Sequence, residues 1–175
     1  MNDSPDPISA PLEYQRFLLA ALGDDDPADA QAATPARIRD LVERAGDLLR
    51  VRPEPAEWSA LECFAHVVDA EIVMSARYRF IVAHDDPPLI GYDQDLWIDR
   101  LGGNDADLDT LLGCFDGVRR ANVAMWRASG DDERARVGLH SERGPESYDL
   151  AFRMIGGHDR VHLAQADRAL ASVSG

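Results

Sequence analysis

The sequence predicts an all-α protein: a four-helix bundle preceded by a short extra helix. Apolar residues recur at helical spacing in four long segments, several of those segments open on a capping signal, and no stretch alternates as a half-buried strand would. The 175 residues are enough for one core. They read as a flexible tail over 1–11 and a single domain over 12–175.

The tail, "MNDSPDPISAP", carries three prolines and little hydrophobicity. "LEYQRFLLAALG" follows with Leu12, Phe17, Leu18 and Leu22 at helical spacing and ends at Gly23, which makes it the short preliminary helix. "DDDPADAQAA" reads as a solvated acidic linker. The first bundle helix is expected to start at Thr34 as N-cap with Pro35 at the first helical position, and to bury Ile38, Leu41, Val42 and Ala45. The second begins near residue 60, where Ser59 and Glu62 form a capping box and Trp58 can staple against Cys63. Its inward stripe runs from His66 and Asp69 through Val73 and Ala76 to Phe80.

The third helix, roughly 105 to 129, buries Leu108, Leu111, Leu112, Phe115 and Val118, with one polar interruption at Asn122. "SGDDERARVGLHSERGPE" reads as a loop, and the fourth helix follows Ser147 and runs toward residue 172. The second and third helices are joined by "DDPPLIGYDQDLWIDRLGGN" (85–104), a crossover long enough to let them run parallel. A link of this length is also a candidate pocket wall.

Composition narrows the function. Eighteen basic residues, all arginine, face 32 acidic ones, for a net charge of −14. That balance repels phosphate backbones and argues against a nucleic-acid partner. The absence of lysine removes Schiff-base chemistry. No apolar run reaches the length of a membrane span, and the acidic start is unlike a secretory signal, so a cytoplasmic protein is expected. Cys63 and Cys114 form no Cys-x-x-Cys pair and read as small core residues.

The informative residues are histidines. His158 and His162 lie four apart on the inward stripe of the fourth helix, with Ala151, Met154, Ile155 and Gln165. His66 is a third, in an otherwise apolar helix. Imidazoles at i and i+4 address one point, and a third from a facing helix completes a three-nitrogen face that leaves coordination positions open. Asp69, one turn from His66, could orient an imidazole from behind. The residues alone leave two readings open, a divalent metal site or hydrogen-bonded core histidines. His84, His140 and Asp159 read as solvent-facing, and Glu62 as a cap.

Three segments, "EWSALECFAHVVDAE" (57–71), "RVGLHSERGPES" (136–147) and "GGHDRVHLAQ" (156–165), resemble the DinB/YfiT-like superfamily of metal-binding four-helix bundles. The shared pattern is a Trp-Ser helix start followed by His-x-x-Asp-x-Glu, Phe-x-x-x-Arg at Phe115 and Arg119, and His-Asp-x-x-His. The likeness spans about residues 12 to 172. It implies an up-down-down-up bundle and a divalent metal, zinc or nickel, held by His66, His158 and His162. Members of that family are described as damage-inducible proteins or proposed metal-dependent hydrolases. They include transferases and isomerases that use bacillithiol or mycothiol, and many have no established activity.

The leading expectation is therefore a metal-dependent thiol S-transferase acting on a low-molecular-weight thiol and an electrophile, with Tyr92, Trp97 and Arg119 as pocket candidates. A metal-dependent hydrolase at the same site is the alternative, and a non-catalytic metal-binding or stress-response module is the third reading. A homodimer is expected, and no membrane partner.

Overall fold

A computed structural model describes residues 4–175. Residues 1–3 of the expected tail lie outside the described part. Residues 4–10 lie against the bundle, where the Asp6 carboxylate accepts from the Ile8 and Ser9 backbone amides at 2.9 and 2.6 Å.

Helix α1 spans Pro11–Leu22, as expected. Helix α2 spans Pro27–Ala45 and corrects the expected linker. Its cap is Asp26, whose side chain accepts from the amides of Ala28 and Asp29, and it absorbs the acidic segment. Pro35 thus sits inside the helix, where its missing N–H would strand the Gln31 carbonyl. Arg119 donates to that carbonyl at 3.2 Å and makes the break tolerable. Thr34 is no cap either; its hydroxyl points inward to Asp159, 2.7 Å away.

Helix α3 spans Ala60–Ala83 and carries the full Ser59/Glu62 capping box; Arg52 also pairs with Glu62. Trp58 packs on the core cluster that contains Cys63. The first half of α3 is buried nearly all round, because the third and fourth bundle helices flank it and short 3-10 turns at Gly46–Arg50 and Gly103–Asp105 close its start. Its second half has only one covered face. There burial follows Met74, Tyr78 and Ile81, and Phe80 emerges 51% exposed, so the stripe expected through Phe80 turns out to solvent.

The crossover is not a bare loop. It holds β1 (Pro88–Leu89) and α4 (Gln94–Arg100), and leads to α5 (Leu108–Ala128). The segment expected as a second loop contains α6 (Asp131–Ala135), β2 (Val137–His140) and β3 (Gly144–Ser147), before α7 (Tyr148–Val173). The order is β1-β2-β3, with β1 parallel to β2 (Leu89 opposite His140) and β2 antiparallel to β3 (Gly138 opposite Glu146). These strands are two to four residues long, too short for alternation to show in the sequence.

Paired contacts fix the helix directions. Phe64 meets Phe115, Glu71 meets Arg119 and Ser75 meets Asn122, so α3 and α5 run parallel. His66 meets His158 and Tyr78 meets Tyr148, so α3 and α7 are antiparallel. Thr34 meets Asp159 and Arg44 meets Asp167, so α2 and α7 are parallel. The bundle is up-down-down-up, and the long crossover is what lets the middle pair run the same way. Helix α1 lies across α7 at Gly156 and Gly157. A Cβ on Gly157 would stand 1.8 Å from the Leu18 carbonyl oxygen, so only glycine admits this approach.

Candidate metal centre

The three sequence-predicted histidines converge. His66 comes from α3, and His158 and His162 come from successive turns of α7. All are buried, at 2%, 6% and 5% exposure, and one ring nitrogen from each lies within 4.8 Å of the others. The Nε2 atoms of His66 and His158 are 2.9 Å apart. Nitrogens bound to one tetrahedral zinc at about 2.05 Å would sit about 3.3 Å from each other, so the rings are close to a coordinating arrangement.

Electrostatics favour the same use. Burial, and then the charge of neighbouring histidines, pushes the pKa of His66 and His158 well down; burial pushes that of His162 to about 4. Neutral imidazoles keep lone pairs available at neutral pH, as ligation requires. The His162 Nδ1 lies 3.0 Å from Gln165 Oε1, an acceptor, so Nδ1 carries the proton and the Nε2 lone pair is free. Gln165 thus does what was expected of Asp69. The Asp69 side chain is half-buried, with its pKa raised by burial, and no hydrogen bond joins it to the triad among the described residues.

Other residues complete the surroundings. Trp58 lies beside His66 and His162, with ring centroids 5.2 and 6.2 Å away. Tyr14 on α1 brings its hydroxyl within 3.4 Å of His162 Nε2, and burial raises that phenol's pKa to about 12. Tyr92 faces His66 at 6.5 Å, while Trp97 packs against Tyr92 at a tilt, with centroids 4.5 Å apart. Tyr14 was missed in the sequence because nothing in α1 signals that the helix folds over α7; Trp58 was visible only as a staple.

Arg119 is not at the cavity. It is 2% exposed and bridges Glu71 (2.8 Å) and Asp159, with the Phe115 ring 4.6 Å beneath it. Burial alone would lower its pKa, but Asp159 and Glu71 together raise it above the ordinary value. Asn122 donates to Glu71 at 2.7 Å, so both carboxylates are paired in a buried network behind His158, with the Arg119 Nε left over. Asp159, expected in solvent, is 2% exposed within it. The Glu, Arg and Asp of the sequence pattern therefore tie α3, α5 and α7 together, which leaves the histidines as the group that could hold a metal. His140 is also corrected: it is 4% exposed at the end of β2, while His84 does face solvent. Cys63 is buried, with its thiol pushed up to about 12, and only packs.

Two spaces meet at the triad. A small inner cavity of about 80 Å³ is lined by His66 and His158. An open cleft of about 490 Å³ is lined by His162, Gln165 and Trp58, and Tyr14 borders both.

A family model for the DinB superfamily matches residues 29–166. The chain belongs to the DinB superfamily. A relative from Oceanobacillus iheyensis, whose name proposes a metal-dependent hydrolase, is 20% identical over 118 residues, covering 67% of this chain and 68% of its own. Among solved structures the fold is similar to YfiT from Bacillus subtilis, described as a probable metal-dependent hydrolase with an unusual four-helix bundle topology. The TM-score is 0.75 at 16% identity, over 99% of this chain and 93% of that one. No described helix of this DinB-superfamily chain is long and apolar enough to cross a membrane.

Proposed function

We propose that this protein is a metal-dependent enzyme that activates a low-molecular-weight thiol at His66, His158 and His162 for transfer to an electrophile. The observation that supports it best is the placement of the triad between two spaces, one reached past His162 and one past His66 and His158. A transfer reaction needs two reactants to meet at one centre. A divalent cation, zinc or nickel by the donor set, would lower the pKa of a bound thiol and so supply the thiolate nucleophile.

The chain's own residues set up the rest. The three neutral imidazoles present their lone pairs, and Gln165 holds the His162 ring in the required tautomer. Tyr14 keeps its proton at neutral pH, and its hydroxyl, 3.4 Å from His162 Nε2, stands where it would donate to a group held at the centre. Trp58 and Tyr92 wall the centre and limit the approach of water.

The names of the relatives favour hydrolysis as a second reading, with a water in place of the thiol. That reaction calls for a general base. Asp159 is held by Arg119 and Thr34, which leaves Asp69, one turn along α3 from His66, as the candidate.

The test is metal analysis of protein purified without added metal, followed by thiol consumption with bacillithiol, mycothiol, glutathione and coenzyme A against a panel of electrophiles. One metal per chain with thiol-dependent turnover is expected, and His158→Ala should lose both. Stoichiometric metal without turnover of any of the four thiols overturns the transfer reading. Ester or amide cleavage by that same sample would install the hydrolase in its place.

A further inference from the structure

The inner cavity has a second polar wall, built by Arg77, about three turns along α3 from His66, and by His140 at the end of β2. Arg77 is 7% exposed, and its Nε has no hydrogen-bond partner among the described residues. Its other nitrogens meet only the Met74 sulfur, at 3.4 Å, and the Ile90 carbonyl. None of the ion pairs among the described residues includes it. Glu146, whose charge reaches Arg77, is taken by Arg143 through both oxygens and also accepts from Gln15. Glu142 stands exposed on the cavity wall, where water screens its charge.

His140 is held in one tautomer by its own turn. The backbone amides of Glu142 and Arg143 point at its Nδ1, at 3.2 and 3.4 Å. Both are donors, so Nδ1 carries the lone pair and the proton sits on Nε2. That Nε2–H is buried without a partner. Burial, then the charge of Arg143, holds the ring neutral by lowering its pKa to about 4.

Two buried N–H donors, one on a cation with no ion pair among the described residues, therefore share the wall of one small cavity with two of the triad histidines. A buried donor left without an acceptor bears its full desolvation penalty. A single group with two acceptor oxygens and one negative charge answers both. We propose that Arg77 and His140 bind a carboxylate, and that the electrophile is a compact carboxylic acid held with its acid group there and its reacting carbon toward His66 and His158. Ala70, Met74 and Ile155 line the space between and suit a short carbon chain. The cavity holds on the order of five waters, which limits the acid to a few carbons. That the acid is the second reactant rests on the reading of the triad above; the carboxylate subsite does not.

The test is isothermal titration with succinate and with succinamide, which matches its shape without charge, on both metal-free and metal-loaded protein. Wild type should prefer the acid by about tenfold or more in both forms, the factor that one charge-assisted hydrogen bond supplies. Arg77→Met should abolish the preference, Arg77→Lys should keep part of it, and His140→Ala should weaken it about tenfold. Equal affinity of wild type for the two probes, or an undiminished preference in folded Arg77→Met, overturns the subsite. The wild-type comparison decides the matter even if a variant fails to fold. Acid preference without thiol turnover would spare the subsite and sink the transfer reading; turnover without acid preference would do the reverse.

Discussion

Replacing Arg119 by methionine tests whether the buried network, and not the cavity, is that residue's place. Methionine has similar length and apolar bulk, so the change removes charge and donors with little loss of volume. In the folded protein Arg119 is 2% exposed and donates to Glu71 at 2.8 Å, to Asp159 at 3.1 Å and to the Gln31 carbonyl at 3.2 Å. Without it, Glu71 keeps only Asn122 and Asp159 keeps only Thr34, two buried carboxylates with no cation. Breaking a buried pair by removing one partner costs about 3–5 kcal/mol. For a chain of this size each kcal/mol moves Tm by about 2–4 °C, so a drop of about 10 °C or more is expected in thermal unfolding of metal-free protein. A second arm adds Glu71→Gln and Asp159→Asn to the methionine variant, which removes the stranded charges and should return part of the loss. A loss below about 1 kcal/mol, or no recovery in the triple variant, would refute the account.

Three further outcomes follow from the same contacts. Gly157→Ala forces a Cβ into the Leu18 backbone, so α1 must lift from α7; a loss of about 3 kcal/mol and faster proteolysis within residues 11–22 are expected, and unchanged proteolysis would count against the close crossing. Gln165→Leu leaves the His162 tautomer unset and should weaken metal affinity about 10–100-fold by competition titration, whereas undiminished affinity would remove Gln165 from the site. His140 has a folded pKa of about 4 against about 6.5 unfolded, so the unfolded chain takes the proton first. Its contribution is whole above about pH 6.5 and is lost as pH falls toward 4, by at most about 3 kcal/mol. Urea titrations of His140→Gln should show a shallower acid loss than wild type, and parallel curves would contradict this.

Much of the helical frame was legible because its signals are local. The Ser59/Glu62 box, the Ser147 cap and the spacing of apolar residues need only a few neighbouring residues to act, and α1, α3, α5 and α7 start within three residues of where they were expected. The same local logic failed at Thr34-Pro35. There a distant group, Arg119, satisfies the carbonyl that proline strands, and α2 continues through. The two- to four-residue strands were unreadable for a related reason, since their pairing partners lie up to about fifty residues away.

The sequence by itself determined the helix class, the inward placement of His158 and His162 on one face and of His66 on a second helix, and the likeness that pointed to a metal. Helical periodicity and a short motif suffice for those. Only the tertiary structure decided which polar residues share a space. It sent Asp159 and Arg119 into a closed ion network, exchanged Asp69 for Gln165 behind His162, folded Tyr14 over the triad and carried His140 into the inner cavity. Those placements depend on contacts between residues far apart in the chain, whose energies exist only once the helices have packed.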